Sequence, residues 1–203
     1  MLQIVLGVNG AMFLTEFGAG LLAQSTALIA ESVDMLGDAI VYGFSLYVVA
    51  RGAQWQARGA LLKGGIMAAF GLGVVFEAAL KIARGVVPDA DIMSGVGFIA
   101  LAANAFCLAL LSRHRADDIN MRSAWICSRN DVVANVAVLV AAGAVLVTGS
   151  AWPDIAIGLL IAALFGGSAI NVIRDATRQL RVLPGGPAGS DAGVVNSKST
   201  RSG

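Results

Sequence analysis

The chain has 203 residues, of which 57% are hydrophobic and only 13% are charged, and its formal net charge is +1. A soluble domain of this length carries about twice that charged fraction, so the composition excludes an ordinary soluble domain. The near-neutral charge, without any basic stripe along the sequence, gives no indication of nucleic-acid binding.

Long apolar stretches follow one another along the chain, each able to cross a hydrocarbon core of about 30 Å. They cover residues 4–23, 27–50, 60–83, 92–112, 125–149 and 153–173. The start Met1-Leu2-Gln3 has no basic residue, and no persuasive cleavage site follows, so we interpret the first stretch as a membrane helix rather than a signal peptide. The sequence therefore predicts an all-α membrane protein with six transmembrane helices and both termini on one side.

Basic residues set the predicted orientation. Twelve of the fourteen Lys and Arg residues fall near the second and fourth connections or after the sixth stretch, whereas Lys81 and Arg84 fall on the opposite side. The positive-inside rule then predicts cytoplasmic termini, in a bacterial inner membrane. After Arg181 the chain becomes rich in Gly, Ser and Ala, a composition too poor in apolar residues to fold alone. We therefore expect a membrane domain over 1–181 and a disordered cytoplasmic tail over 182–203, with no soluble domain.

Two pairs of polar residues interrupt the second and fifth stretches. Asp34 and Asp38 are four residues apart, as are Cys127 and Asp131. Residues at this spacing share one helix face, with Cβ atoms about 5–6 Å apart. Ionisable groups at membrane depth cost about 2.5–3.5 kcal/mol each on insertion scales, and they mark a transport pathway or a buried pair. Two such pairs supply the four ligands of a tetrahedral metal site, so the sequence predicts metal binding by Asp34, Asp38, Cys127 and Asp131.

The predicted ligands comprise three carboxylates and one thiol. Such a set suits borderline or soft divalent ions, Zn²⁺ or Cd²⁺, better than Mg²⁺ or Ca²⁺. Because carboxylate and thiolate are the ligating forms, binding an ion releases protons, and the same atoms can take either. Two alternatives stay open: Asp34 and Asp38 lie at a wet helix end or pair with Arg129, or Cys127 packs as a small apolar residue.

Other polar residues receive separate interpretations. We interpret Glu77 as a structural partner, Cys107 as a packing residue and His114 as part of a solvated loop, and we leave Glu16 open. Tyr42 and Asn135 each follow the second member of a ligand pair by four residues. This weakly repeated pattern in the second and fifth stretches is of the kind found in transporters built from related halves.

The segment from Ser25 to Asp38 resembles the second-helix signature of the cation diffusion facilitator family, in which a small-residue turn precedes a His/Asp-xxx-Asp pair. Three further features agree with this resemblance: Asn9, Glu77 followed by Pro88, and Trp152-Pro153-Asp154. The resemblance covers nearly all of residues 4–175, and Cys127 stands where the family usually has His. It implies divalent cation efflux, usually of Zn²⁺, by proton antiport from a homodimer.

The resemblance is to a short form of that family, since the cytoplasmic C-terminal domain typical of its members is not recognised here. Any dimer contact is then expected from the helices and their loops. Glycine pairs in the apolar stretches permit close packing within or between protomers; they are Gly18/Gly20, Gly64/Gly65, Gly71/Gly73 and Gly166/Gly167.

Two other functions compete with transport. A membrane-embedded metalloenzyme could use the same four ligands, but the sequence has neither an HExxH-type helix nor an evident extra general base. A non-transporting membrane subunit could keep the fold and bind a partner. We expect a secondary transporter, not an enzyme, with the metal ion as cargo rather than cofactor.

Overall fold

The computed structural model describes residues 2–48, 53–114 and 119–182, and these residues form six α-helices. In chain order they are α1 (Leu2–Ala23), α2 (Thr26–Val48), α3 (Ala53–Arg84), α4 (Ala90–Ser112), α5 (Ile119–Thr148) and α6 (Trp152–Val182). No strand occurs in these ranges. The all-helical prediction is confirmed, whereas the predicted tail lies outside the described residues, apart from Val182.

Three helices extend beyond their apolar stretches. α3 begins at Ala53 rather than at residue 60, α5 begins at Ile119 rather than at 125, and α6 continues to Val182 rather than ending at 173. Hydropathy marks only the part of a helix that matches the hydrocarbon core, while a helix can continue through the polar interface. The added turns carry Arg58 and Arg122, which the sequence analysis assigns to connections, and the arginines after residue 173, which it places after the sixth stretch.

Five of the helices are long and apolar enough to cross a membrane: α1, α3, α4, α5 and α6. α2 does not meet the same standard, because any 18-residue stretch of it contains Glu31, Asp34 and Asp38. Large apolar side chains are exposed on the outer faces of the other helices, as contact with lipid requires; examples are Leu14, Leu72, Phe98, Val140 and Leu164.

α2 is the central helix of the bundle. It packs against α1, α3, α5 and α6, and residues 25–33 are buried without interruption. A helix with charged residues is tolerated in this position because neighbouring helices separate those residues from lipid. The acidic residues that distinguish α2 from a simple membrane span are therefore the residues that the other helices surround.

Two glycines bring α2 close to its neighbours. A Cβ atom on Gly20 of α1 would lie 2.8 Å from Ile29 Cγ1, and one on Gly158 of α6 would lie 2.7 Å from the backbone of Thr26. Any larger residue would push these helices apart. Among the predicted glycine pairs, a Cβ atom on Gly64 would lie 2.5 Å from Ile173 Cγ1, so this glycine also permits close packing within the chain. A Cβ atom would meet no atom within 4 Å on the other glycines of these pairs that lie in open space: Gly18, Gly65, Gly73, Gly166 and Gly167.

Candidate metal site

Asp38 lies on the buried face of α2, with 8% of its surface exposed. The Tyr42 hydroxyl donates to Asp38 Oδ2 at 3.0 Å and lies 3.5 Å from the carbonyl oxygen of Ala124 on α5. Tyr42 is one helical turn beyond Asp38, and the four-residue spacing noted in the sequence places its hydroxyl within hydrogen-bonding distance of the carboxylate. The same tyrosine therefore fixes Asp38 relative to α5.

Cys127 is the α5 residue that meets Asp38. Its thiol is half-buried and hydrogen-bonds with the Asp38 side chain. Cys127 also packs beside an apolar cluster of Val5, Tyr42, Cys107, Leu111 and Ala124. The cysteine thus has an apolar side and a side directed at the carboxylate.

Asp131 lies one turn further along α5 and is 1% exposed, and its Oδ2 atom has no hydrogen-bond partner within the described part of the chain. Asp34 is half-buried on α2. Electrostatic repulsion acts on Asp131 from both Asp38 and Asp34. The structure thus brings the four predicted ligands into one region between α2 and α5.

These four side chains do not form a ready-made coordination shell. Within residues 2–48, 53–114 and 119–182, no three Asp, Glu, Cys or His side chains are grouped closely enough to hold one ion. Four-coordinate binding needs ligand atoms about 2.0–2.3 Å from the metal. Side chains on α2 and α5 would have to turn toward a common point for all four to ligate.

Lys63 is a positive charge that the sequence analysis did not connect with this site. It lies on α3, half-buried, and interacts electrostatically with Asp38, Cys127 and Asp34. In the sequence it was counted only among the basic residues that set orientation. The sequence did contain an indication that Lys63 has a partner, because this residue lies within the apolar stretch 60–83, where an isolated charge is unfavourable.

Glu31 and Asn135 extend the polar region by one helical turn toward the end of the bundle where α1 leads into α2. Asn135 Nδ2 donates to Glu31 Oε1 at 2.8 Å and to the carbonyl oxygen of Asp131 at 3.0 Å. Both side chains are completely buried. Sequence reasoning noted Asn135 but missed Glu31, although Glu31 precedes Asp34 by three residues and so shares its helix face.

Glu16 of α1 completes what we call the central polar cluster: Glu16, Glu31, Asp34, Asp38, Asp131 and Asn135. Glu16 is fully buried, and neither of its carboxylate oxygens has a partner among the described residues. Asn9 and Asn104 are likewise buried with unpaired side-chain atoms. A buried polar atom without a hydrogen-bond partner costs about 1–3 kcal/mol, which distinguishes this cluster from a fully hydrogen-bonded polar group.

A second polar group lies at the start of α2, and we call it the anchor cluster: Ser25, Thr26, Glu77, Lys81 and Asp154. Asp154 Oδ2 accepts from Lys81 Nζ at 2.6 Å and from the Thr26 N–H at 2.8 Å. Asp154 Oδ1 accepts from the Ser25 hydroxyl and from the Ala27 N–H. The Ser25 hydroxyl also accepts from the Leu28 N–H at 3.1 Å, so α2 is capped jointly by Ser25 and by a side chain of α6.

Glu77 also belongs to the anchor cluster, since its Oε2 accepts from the Thr26 hydroxyl at 2.7 Å. This bond agrees with the interpretation of Glu77 as a structural partner. The sequence pointed to Trp152-Pro153-Asp154 only through a family resemblance, and it gave no reason to pair Asp154 with Lys81. The ion pair was not foreseeable, because 73 residues separate its members.

The structure also gives the surroundings of three other residues that the sequence analysis interpreted: Cys107, Arg129 and His114. Cys107 is completely buried in the apolar cluster beside Cys127, as a packing residue would be. The Arg129 guanidinium lies 5.5 Å from the Trp125 ring centre, a cation–π contact. The His114 N–H donates to the Leu111 carbonyl just past α4, while Asp117 and Asp118 of its predicted loop lie outside the described residues.

Comparison with known proteins shows that this chain is similar to cation efflux proteins. Residues 2–181 match the family model described as the cation efflux transmembrane domain. The chain is 27% identical over 172 residues to the metal cation efflux system protein CzcD of Cupriavidus metallidurans, covering 79% of this chain and 54% of that protein. The cation efflux system protein CzcD of an Alcaligenes species matches to the same extent. The chain therefore spans about half the length of these relatives.

Proposed function

This chain belongs to the cation efflux family, also called the cation diffusion facilitator family, and from that premise we propose that it exports divalent metal ions in exchange for protons. Zn²⁺ is the proposed main substrate and Cd²⁺ an alternative. The proposed ligands are Asp34, Asp38, Cys127 and Asp131, between α2 and α5. We further propose that the protein works as a homodimer in a bacterial inner membrane.

The contact between Asp38 and Cys127 is the observation that carries this proposal. It joins one member of each spaced pair across two helices, the arrangement that a shared ion would require. The names of the relatives supply the substrate class, since both are metal or cation efflux proteins. A thiolate beside carboxylates favours Zn²⁺ and Cd²⁺ within that class.

Lys63 has a defined part in the proposed cycle. Its ammonium group interacts electrostatically with Asp34, Asp38 and Cys127, so it offsets part of their negative charge when no ion is bound. An arriving divalent ion replaces that compensation with a stronger one, because its charge is double and its ligand contacts are direct. Lys63 would then move away from the ligands while they turn toward the ion.

Proton exchange follows from the chemistry of the ligands. A carboxylic acid or a thiol must lose its proton before it ligates a metal ion. An ion that leaves on one side of the membrane frees the same atoms to take up protons. Each ligand set can therefore alternate between the two kinds of cargo without a separate proton-carrying residue.

Metal flux into proteoliposomes tests the proposal directly. The full chain is reconstituted, a panel of Zn²⁺, Cd²⁺, Co²⁺, Mn²⁺ and Mg²⁺ is applied, and internal metal and pH indicators are followed together. We expect Zn²⁺ and Cd²⁺ uptake coupled to proton movement in the opposite direction. Flux without proton movement would overturn the antiport, and the absence of flux with every ion would favour the non-transporting subunit.

A further inference from the structure

Glu16 and Glu31 lie side by side on α1 and α2. The close approach of Gly20 to Ile29 forces these two helices together. Glu16 is one helical turn before Gly20, and Glu31 is two residues after Ile29, so the two carboxylates lie at about the same level of the bundle. Glu16 is also the charged group that acts most strongly on Glu31.

Neither glutamate is provided with the contacts that a buried carboxylate needs. Both side chains are completely buried, and both oxygens of Glu16 and the Oε2 atom of Glu31 lack hydrogen-bond partners among the described residues. Asn135 is directed at Glu31 by its 2.8 Å hydrogen bond, yet its own Oδ1 atom is unpaired. Unpaired acceptor oxygens from three helices are thus gathered at one level.

No cation of the described structure compensates this pair. The charged groups that act on Glu31 are all carboxylates, namely Glu16, Asp34, Asp131 and Asp38. The Lys63 ammonium acts on the predicted ligands instead, and Lys81 is bound to Asp154. Buried charges in proteins are normally paired or bound to metals, so the two glutamates lack what such groups usually have.

We propose that Glu16, Glu31 and Asn135 form a second cation-binding position that takes a divalent ion through oxygen atoms alone. It lies one helical turn from Asp34, Asp38, Cys127 and Asp131, toward the α1–α2 turn. From the proposed function this inference takes only that the chain carries divalent ions. One divalent ion neutralises the two glutamates. Asn135 now directs its Nδ2 atom at Glu31, and a rotation of its amide would replace that donor with Oδ1 as a third ligand atom.

The two positions differ in chemistry. The position with Cys127 contains sulfur and favours softer ions, whereas the second position has only carboxylate and amide oxygens and favours harder ions. In the predicted orientation the second position is the one farther from the cytoplasm. A Zn²⁺ or Cd²⁺ ion that advances from the first position to the second therefore exchanges a sulfur ligand for oxygen ligands, which eases its release.

Cadmium binding to the purified full chain separates the two positions, because ¹¹³Cd NMR distinguishes sulfur-ligated from all-oxygen Cd²⁺. The test uses the double variant Asp38→Ala/Cys127→Ser, which removes the first position. We expect one Cd²⁺ per protomer with an all-oxygen resonance in this protein. Adding Glu16→Gln or Glu31→Gln should abolish that resonance, while adding Glu77→Gln, a glutamate of the anchor cluster, should leave it unchanged.

The outcomes divide cleanly between the two proposals. If the double variant binds no Cd²⁺, or if its resonance survives both glutamine substitutions, the second position does not exist. If the wild-type chain lacks a sulfur-ligated resonance, the ligand set of the proposed function is wrong, whereas a glutamate-dependent all-oxygen resonance in the double variant would still support the second position. Elution of every variant as a single species and a single cooperative melting transition exclude misfolding as the cause.

Discussion

The anchor cluster and the central polar cluster are both buried, but they differ in how their polar atoms are satisfied. In the anchor cluster, Asp154 receives a cation, a hydroxyl and two backbone N–H groups. In the central polar cluster, both oxygens of Glu16 and single atoms of Glu31, Asp131 and Asn135 have no hydrogen-bond partner in the part of the chain that the structure describes. Burial of charge is therefore common to both, and the lack of hydrogen-bond partners distinguishes the cluster that we propose to bind cations.

The largest expected effect comes from breaking the anchor ion pair. Lys81→Met leaves the Asp154 carboxylate buried without its cation, and such changes cost about 3–5 kcal/mol. We expect a large fall in the thermal stability of the detergent-purified protein, measured by its melting transition. The double variant Lys81→Met/Asp154→Asn should recover part of the loss, and equal stability of wild type and Lys81→Met would show that the pair contributes nothing.

Removal of a predicted ligand should act on transport instead of folding. Asp38→Ala and Asp131→Ala each delete one ligand of four, leaving the ion poorly compensated in a low-dielectric site. We expect proteoliposome flux to fall about a hundredfold, equivalent to about 2.7 kcal/mol. Asp175→Ala, at an exposed position on α6, is the matched control. Near-normal flux in either well-folded ligand variant would remove the proposed site.

Opposite signs of stability change are expected when a glutamate in each cluster is replaced by methionine. Glu16→Met removes a buried carboxylate without partners, so we expect stabilisation by about 1–2 kcal/mol. Glu77→Met removes the acceptor of the Thr26 hydroxyl and should destabilise by about 1 kcal/mol. Melting transitions of the two variants, compared at one pH, check the contrast. Destabilisation by both would mean that the central polar cluster also contributes to folding.

A smaller effect concerns the ion preference at Cys127. Cys127→His keeps four ligands and should shift the Cd²⁺/Zn²⁺ flux ratio toward Zn²⁺ by about tenfold, or about 1.4 kcal/mol, because sulfur favours the softer ion. Cys127→Ser should weaken transport of both ions, Cd²⁺ the more. An unchanged ratio in Cys127→Ser would leave the cysteine as a packing residue.

The smallest effect is expected from the tail, which belongs to neither cluster and lies outside the described residues. Its composition of Gly, Ser and Ala predicts a flexible segment. Deleting residues 185–203 should leave oligomeric state and flux unchanged, as measured by light scattering and in proteoliposomes. A monomeric or inactive product would show that the tail organises the assembly.

The helices and the region of the site could be predicted because both depend on local patterns. Apolar runs located every helix, and four-residue spacing located Asp34, Asp38, Cys127 and Asp131. The helix ends were placed less well, since hydropathy reports the hydrocarbon core and not the interfacial turns.

Contacts between distant segments could not be predicted in the same way. The pairing of Lys81 with Asp154 and the electrostatic interaction of Lys63 with Asp38 depend on which helices become neighbours. Glu31 is different, because its spacing to Asp34 was visible in the sequence. The spacing alone did not assign Glu31 a role, because its hydrogen-bond partner Asn135 is 104 residues away on another helix.

The anchor cluster has a mechanical consequence for α2. Asp154 holds the first turn of this helix, and Gly158 lets the backbone of Thr26 come close to α6. A rod fixed at one end can respond to force only by tilting about that end. With a rise of 1.5 Å per residue, a tilt of about 10° displaces Asp38 by about 3 Å and the far end near Val48 by about 6 Å. Movement of α2 would thus widen the bundle progressively from the anchored end, and most at the end that is predicted to face the cytoplasm.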